Sequence, residues 1–389
     1  MSNTTVLTNL RIWDGFEQRS ENSLVIRDQH IEAIVHHDDL SQPDQARDCA
    51  GLTAIPGLID AHVHLELNPD DTTAPVKTNP DVVPLMAERA LKMARKGITT
   101  ARDLGGGAWY ELALRDQIAS GQHIGPRLIC SGQPITSPQG HCHFWGGEAA
   151  DAEAAKAVLM RQLEHKVDLI KVMATGGRLT QGSAPSDAQF SELVLTEIVD
   201  LAHHHQRPVA AHCHGTEGIR RAACAGVDTI EHCSWVGPEG WASDYQDEVA
   251  DLIAAKDIWV SPTVNRGWQR MLDSTTGAVL GRVRSAYRNM MDKGIPMVAS
   301  TDAGIPGVFH DELAHALVVF AKIAELTNTE ALQSATSSAA LALGVSHLTG
   351  SLAPGMEADV LLLDGDPLTE LDAITRPVET YLRGRCVAA

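Results

Sequence analysis

Short apolar runs alternate with longer segments whose apolar residues recur at helical spacing, from about residue 57 to residue 344. Such runs predict buried strands, and the amphipathic segments between them predict helices. The eight predicted strands are residues 57–65, 98–103, 127–131, 168–174, 208–213, 228–233, 258–262 and 295–302. The predicted helices include residues 82–96, 151–165, 192–205 and 287–293.

The order of these segments predicts the fold class. Several helical segments end in a glycine just before the next strand, for example Gly97, Gly226 and Gly294, as is common where a helix leads into a strand. Eight strands that alternate with helices over roughly 290 residues fit an α/β fold of the (β/α)8 TIM-barrel type. A doubly wound open sheet is the structural alternative.

The two chain ends have a different pattern, with short stretches of alternating apolar and polar residues. These stretches predict short strands at residues 6–12, 23–26, 31–35, 358–364 and 378–382. We expect the two ends to combine into a small β-sandwich beside the barrel. The predicted domains are residues 1–56 and 350–389, which form the sandwich, and residues 57–349, which form the barrel.

Composition excludes some partners. The formal net charge of −19 argues against a nucleic-acid partner, for which a basic patch is expected. No membrane association is expected, because no apolar run approaches the ~20 residues of a membrane helix and no signal peptide opens the chain. The seven cysteines are scattered and form no Cys-x-x-Cys pair, which is typical of reduced thiols in a cytoplasmic enzyme. The sequence leaves open whether the protein forms a homo-oligomer.

Candidate chemistry lies at the ends of the predicted strands, where barrel enzymes carry their active sites. His62 and His64 are two residues apart in a strand, so both imidazoles point to the same side. Neutral imidazole is the commonest protein metal ligand. Other predicted strands carry further candidates at or near their ends, namely Lys171, His212, His214, His232 and Asp302. The pattern predicts a metal site that accepts a small-molecule substrate.

Six motifs in fixed order resemble the amidohydrolase superfamily, in particular its imidazolonepropionase-like and Xaa-Pro dipeptidase-like members. They are PGLIDAHVHL at 56–65, IKVMATGG at 170–177, VAAH at 209–212, GVDTIEH at 226–232, STDA at 300–303 and GMEADV at 355–360. The resemblance covers nearly the whole chain. Its motifs are specific to the superfamily and much less specific to one substrate.

The resemblance implies a site for two divalent metal ions, usually zinc. His62, His64 and Asp302 would bind one ion, and His212 and His232 the other. Lys171, carboxylated by carbon dioxide, would bridge the two ions. Asp302 would also move the proton of the attacking water.

Several assignments stay open at this level. His214 is an alternative to His212, although the resemblance favours His212, and Lys171 could instead be a salt-bridged lysine. His141 matches a histidine that contacts substrate and helps to polarise the scissile carbonyl, but His143 lies close by.

Other polar residues are candidates for substrate binding or for a structural role. Arg178 and Arg266 are candidates for binding a substrate carboxylate. By strand alternation Glu231 points away from the site, as a buried structural acid. The loops that would define the substrate are residues 67–80, 137–148, 176–190 and 236–247.

These residues predict a metal-dependent hydrolase of amide-type bonds, most specifically a dipeptidase-like or carboxypeptidase-like enzyme for dipeptides or N-acyl amino acids. The enzymatic alternatives are hydrolysis of a cyclic amide, a lactone, or a xenobiotic ester or carbamate. A deaminase is disfavoured because such members of the superfamily generally use one metal and lack the equivalent of Lys171. A non-catalytic scaffold is disfavoured because every ligand position is filled. Zinc is expected, but the ligands also suit manganese, cobalt and iron.

Overall fold

A computed structural model describes residues 3–40, 46–75, 77, 79–274 and 277–388 of the chain. Its strands are β1 (Thr4–Thr8), β2 (Arg11–Ile12), β3 (Ser23–Arg27), β4 (His30–Val35), β5 (Arg47–Asp48), β6 (Leu52–Pro56), β7 (Leu58–Val63), β8 (Ile98–Asp103), β9 (Arg127–Cys130), β10 (Ile170–Met173), β11 (Val209–Gly215), β12 (Thr229–Val236), β13 (Trp259–Ser261), β14 (Val360–Asp364), β15 (Pro377–Leu382) and β16 (Arg385–Ala388). Its α-helices are α1 (Val82–Arg95), α2 (Tyr110–Ala119), α3 (Ala152–Glu164), α4 (Glu192–His204), α5 (Thr216–Ala225), α6 (Asp247–Ala255), α7 (Gln269–Leu272), α8 (Ala278–Asp292), α9 (Leu313–Ala324), α10 (Asn328–Ser334) and α11 (Ser337–Ala342).

Two parallel sheets form the centre of the molecule, in the orders β7-β8-β9 and β10-β11-β12-β13. Helices connect most of these strands, so the predicted α/β class is confirmed. Isolated parallel bridges lie at the sheet edges and join Ile135 to Val172, Val260 to Met297 and Val63 to Ala303. Parallel strands bring their carboxyl ends to one edge, which collects the residues that end β7, β10, β11 and β12.

Seven of the eight predicted central strands are present, one (98–103) with the predicted bounds and six with shifted ends, and the eighth is not. Residues 295–302 make only single bridges through Met297 and, just beyond the segment, Ala303. Asp302, the last residue of the segment, has a φ of 61°, a left-handed conformation. The backbone turns at this residue, which helps to set the direction of the carboxylate.

The predicted helices are present because their sequences combine capping residues with one apolar face. In α4 the Ser191 side chain accepts a hydrogen bond from the Val194 amide, which satisfies one free donor of the first turn. Leu195, Ile198 and Ala202 of α4 are buried, at the spacing of one helix face. Helix α8 is longer than predicted, since the 287–293 pattern is only its last part.

The chain ends form two further sheets, in the orders β4-β3-β1-β5 and β16-β15-β14-β6-β2. Strand β6 from the first part of the chain pairs antiparallel with β14 from the last part. Leu24 of one sheet and Val360 of the other belong to one buried apolar cluster. Among the helices of the described residues, none is both long enough and apolar enough to cross a bilayer.

Candidate active site and metal centre

A cavity of about 320 Å³ opens at the carboxyl ends of the central strands. Its lining includes eight of the nine predicted site residues, namely His62, His64, His141, Lys171, Arg178, His212, His232 and Asp302. The ninth, Arg266, lines a different cavity, where its guanidinium is 2.7 Å from a Glu312 carboxylate oxygen. The structure therefore brings the candidate ligands together and leaves Arg266 apart.

The strand β7 histidines point to the same side, as the two-residue spacing predicts. The Nε2 atoms of His62 and His64 are 3.2 Å apart. Each of these atoms lies 3.4 Å from Oδ1 of Asp302. Asp302 reaches them because its left-handed backbone turns the carboxylate towards β7, where its amide also donates to the His62 carbonyl.

Each of the four predicted histidine ligands has one ring nitrogen beside a fixed acceptor on a neighbouring element. The pairs are His62 Nδ1 with Glu231 Oε2 at 2.9 Å, His64 Nδ1 with Gly105 O at 3.2 Å, His212 Nε2 with Gly176 O at 3.0 Å, and His232 Nδ1 with Thr263 Oγ1 at 2.8 Å. A ring nitrogen that donates to such an acceptor leaves the other nitrogen with a free lone pair. This arrangement suits metal ligands.

Two groups of side chains have ligand atoms within 4.8 Å of one another: His212, His214 and His232 in one, and His62, His232 and Asp302 in the other. His214 thus lies inside the cluster. Its Nδ1 is 3.0 Å from the Ser234 hydroxyl, and its ring stacks on His232 with centroids 4.3 Å apart. This position leaves His214 as a further candidate metal ligand beside His212 and His232.

Lys171 is fully buried, and its Nζ makes no hydrogen bond within the part of the chain that is described. Burial lowers the pKa of Lys171 and outweighs the opposing effect of the Glu231 and Asp302 carboxylates, so that the net pKa is about 8. A buried ammonium without a hydrogen-bond partner is costly, whereas an amine that has been converted into an anionic metal ligand is not. The residues present therefore fit a binuclear metal site with a modified lysine.

Burial also sets the charge of the other groups. It lowers the pKa of His62 to about 4 and that of His141 to about 3, so both rings are neutral near pH 7. Burial alone would raise the pKa of Asp302, but His62 and His64 more than offset it, and the net pKa is lowered. His62 is thus a neutral imidazole beside an ionised Asp302 carboxylate, and these are the forms that bind metals.

The structure separates the two histidines of the second predicted substrate loop, residues 137–148. His141 lines the cavity, its ring centroid is 4.5 Å from that of His212, and its buried Nδ1 has no hydrogen-bond partner among the described residues. Gly177 permits this position, because a Cβ there would lie 2.4 Å from the His141 ring. His143 instead places its Nδ1 3.1 Å from the Gly140 carbonyl.

The remaining lining is largely apolar. Three of the seven tryptophans of the chain line the cavity, Trp145, Trp241 and Trp268, together with Met173 and Leu179. The guanidinium of Arg178 lies over the Trp241 ring at 5.0 Å from its centroid. Each of the four predicted substrate loops contributes to the lining, although residues 76 and 78 of the first loop lie outside the described residues.

Glu231 is fully buried, as predicted, but the prediction that its side chain points away from the site is wrong. Its Oε1 accepts a 2.7 Å hydrogen bond from Arg102 while its Oε2 meets His62, so the side chain points beneath the site. Strand alternation fails here because His232 has a φ of 67°. Glu231 and His232 therefore both contact the site. The sequence did contain a signal for the contact between Arg102 and Glu231. The two residues carry opposite charges within predicted buried strands, and buried charges require partners.

Comparisons with known proteins identify the family of the chain. Residues 53–387 match the model of the amidohydrolase family. Ochratoxinase from Aspergillus niger is 28% identical over 361 residues, covering 83% of this chain and 72% of that protein. Imidazolonepropionase from Bacillus thuringiensis is 21% identical over 350 residues, covering 83% and 77%. A crystal structure of a Xaa-Pro dipeptidase with bound methionine in its active site superposes with a TM-score of 0.87 at 24% identity, and each chain is fully covered.

The chain belongs to the amidohydrolase family, which confirms the resemblance inferred from its motifs. It is a hydrolase that acts on carbon–nitrogen bonds.

Proposed function

We propose that this amidohydrolase is a binuclear metal-dependent hydrolase of N-acyl amino acids or dipeptides. The observation that carries the proposal is a set of four imidazoles, each with one nitrogen beside a fixed acceptor. They surround the ionised Asp302 and the buried Lys171, whose Nζ has no hydrogen-bond partner among the residues that the structure describes.

The residues divide into two ligand groups. His62, His64 and Asp302 would hold one ion, and His212 and His232 the second, with zinc as the expected metal. The neutral amine of Lys171 would add to carbon dioxide, forming an N–C bond and releasing one proton, so that the side chain ends in a bridging carboxylate. The bound ions would polarise the scissile carbonyl and make water more acidic.

The protein's own groups would then move the protons and hold the substrate. Asp302 would accept a proton from the water that attacks the carbonyl carbon and deliver it to the leaving nitrogen as the C–N bond breaks. His141, neutral and at the cavity wall, would contact the carbonyl oxygen of the substrate.

Two features support a substrate that carries a carboxylate and an apolar group. Arg178 makes no ion pair within the described residues and stands at the cavity, where a guanidinium can bind a carboxylate in bidentate fashion. Arg266 no longer supports this role, because Glu312 already pairs with it. The tryptophans that line the same cavity would accept the apolar side chain of this substrate.

We also propose that the molecule consists of a closed barrel and a β-sandwich. The three isolated parallel bridges support closure of the two central sheets into a (β/α)8 barrel at residues 57–349. The β6–β14 pairing and the shared apolar cluster support a β-sandwich made of residues 1–56 and 350–389.

A library of dipeptides and N-acyl amino acids, offered to zinc-loaded enzyme with bicarbonate, tests the function. We expect release of a free amino acid without ammonia. Ammonia release from an aminated heterocycle would replace the proposal with a deaminase. Turnover of lactones, esters or carbamates alone would preserve the metal site and overturn the substrate class.

A further inference from the structure

A buried charge pair lies directly beneath one side of the metal centre. Arg102 on β8 and Glu231 on β12 are both almost fully buried, and their side chains are 2.7 Å apart. Arg102 also donates to the Ala61 carbonyl at 2.7 Å and to the Thr229 hydroxyl at 3.0 Å. The Thr229 hydroxyl in turn donates to Glu231 at 2.6 Å. The carboxylate is therefore fixed from several directions.

The free oxygen of this carboxylate faces His62. Among the four proposed histidine ligands, His62 alone has an anionic partner at its outer nitrogen. The partners of the other three are neutral, being two backbone carbonyls and the Thr263 hydroxyl. An anionic acceptor holds the ring N–H more firmly and makes the opposite nitrogen a better donor to a metal.

Stability alone is a poor explanation for this pair. Removing two charges from water is expensive, and replacing a buried ion pair by apolar residues is often neutral or stabilising. Arg102 and Thr229 both donate to Oε1 of Glu231, which leaves Oε2 at 2.9 Å from Nδ1 of His62.

We propose that Glu231, held in place by Arg102, is a positioning residue for His62. It fixes the ring with Nε2 directed into the cavity and strengthens that nitrogen as a ligand, so that the His62 position binds its ion more tightly. This inference rests on the proposed binuclear site.

The test compares three variants in metal titrations of the full-length protein. Glu231→Gln keeps the shape and removes the charge. Thr263→Val removes a neutral acceptor, that of His232. Glu111→Gln makes the same substitution at a fully buried carboxyl whose oxygens form no hydrogen bond in the described part of the chain. Burial raises the pKa of Glu111, so this variant controls for the amide side chain without loss of a charge. Zn²⁺ affinity is measured by chelator competition, and Co²⁺ ligand geometry by visible absorption.

We expect Glu231→Gln to weaken binding at one of two metal positions by about 10–100-fold and to change the Co²⁺ spectrum. Thr263→Val should have a smaller effect, and Glu111→Gln should match the wild type. Equal affinities for Glu231→Gln and the wild type would overturn the inference, as would an equal loss for Glu231→Gln and Thr263→Val.

Two further measurements keep the outcomes separate. Thermal unfolding of the metal-free proteins shows whether Glu231→Gln is folded. If it is not, Glu231→Asp retains the charge but withdraws it from His62, and it should show the same selective loss. If the wild type binds fewer than two ions, the proposed function fails. If it binds two and Glu231→Gln binds them equally well, only the role of Glu231 fails.

Discussion

Two neighbouring cavities both contain charged side chains, which are exposed and ion-paired in one cavity and buried in the other. Asn265 lines the central cavity, while Arg266 lines a second cavity of about 680 Å³. In the second cavity Lys92 pairs with Glu88 at 2.8 Å, and both side chains are 56% exposed. In the central cavity Lys171 is 0% exposed and has no hydrogen-bond partner within the described residues. Burial without a partner, and not the number of charges, distinguishes the candidate site.

This difference has an energetic basis. Exposed ion pairs such as Arg266–Glu312 typically contribute only about 0–1 kcal/mol, because water screens them and their side chains lose entropy. Buried groups such as Lys171 cannot be solvated by bulk water, so their free energy depends on what occupies the cavity. Paired substitutions in the two cavities should therefore differ widely in effect.

The largest difference is expected between Lys171→Ala and Lys92→Ala. Without Lys171 the bridge between the two metal positions is lost, and we expect turnover to fall on the order of 10³-fold or more. Lys92→Ala should remain within about twofold of the wild type, because its pair is exposed. Steady-state kinetics and metal analysis check both variants. Partial recovery of Lys171→Ala with a small carboxylate would support the bridge, whereas near-normal activity would make Lys171 only structural.

A smaller but still large difference is expected between Asp302→Asn and Asp311→Asn. The amide keeps the shape and some ligand capacity but cannot accept a proton, so kcat should fall by about 10², the lower end for loss of general base catalysis. Asp311 lines the second cavity, and its amide variant should behave as the wild type. If Asp302→Asn kept its activity and its metal, another group would have to move the proton.

Much of this organisation could be predicted from the sequence, because it depends on local spacing. Two histidines separated by one residue share a strand face, and that rule placed His62 and His64 correctly together. Apolar periodicity located seven central strands and the main helices for the same reason. These features depend on neighbouring residues alone.

Other features depended on long-range contacts or on unusual backbone conformations. Glu231 was misplaced because the positive φ of His232 breaks strand alternation. The segment that ends in Asp302 has a strand-like composition, yet Asp302 adopts a left-handed conformation. The ion pair of Arg266 joins residues 46 positions apart, which no local pattern reveals.

The smallest difference expected between the cavities concerns the two arginines. Arg178→Ala removes a guanidinium that forms no ion pair within the described part of the chain. KM for a carboxylate-bearing substrate should therefore rise about tenfold, consistent with ~1.5 kcal/mol for a hydrogen bond to a charged group. The value of kcat should change little. Arg266→Ala should leave KM unchanged. A rise in KM for both variants, or for Arg266→Ala alone, would contradict the assignment of the substrate carboxylate to the central cavity.

The metal content of the central cavity tests the account most directly. The five unmodified candidate ligands and a carboxylated Lys171 exceed what one tetrahedral zinc ion requires. Metal-free protein reconstituted with zinc and bicarbonate, then analysed by elemental mass spectrometry, should contain close to two ions per chain. Lys171→Ala should contain fewer. A clean single equivalent in the wild type, unchanged by bicarbonate and by Lys171→Ala, would contradict the binuclear site.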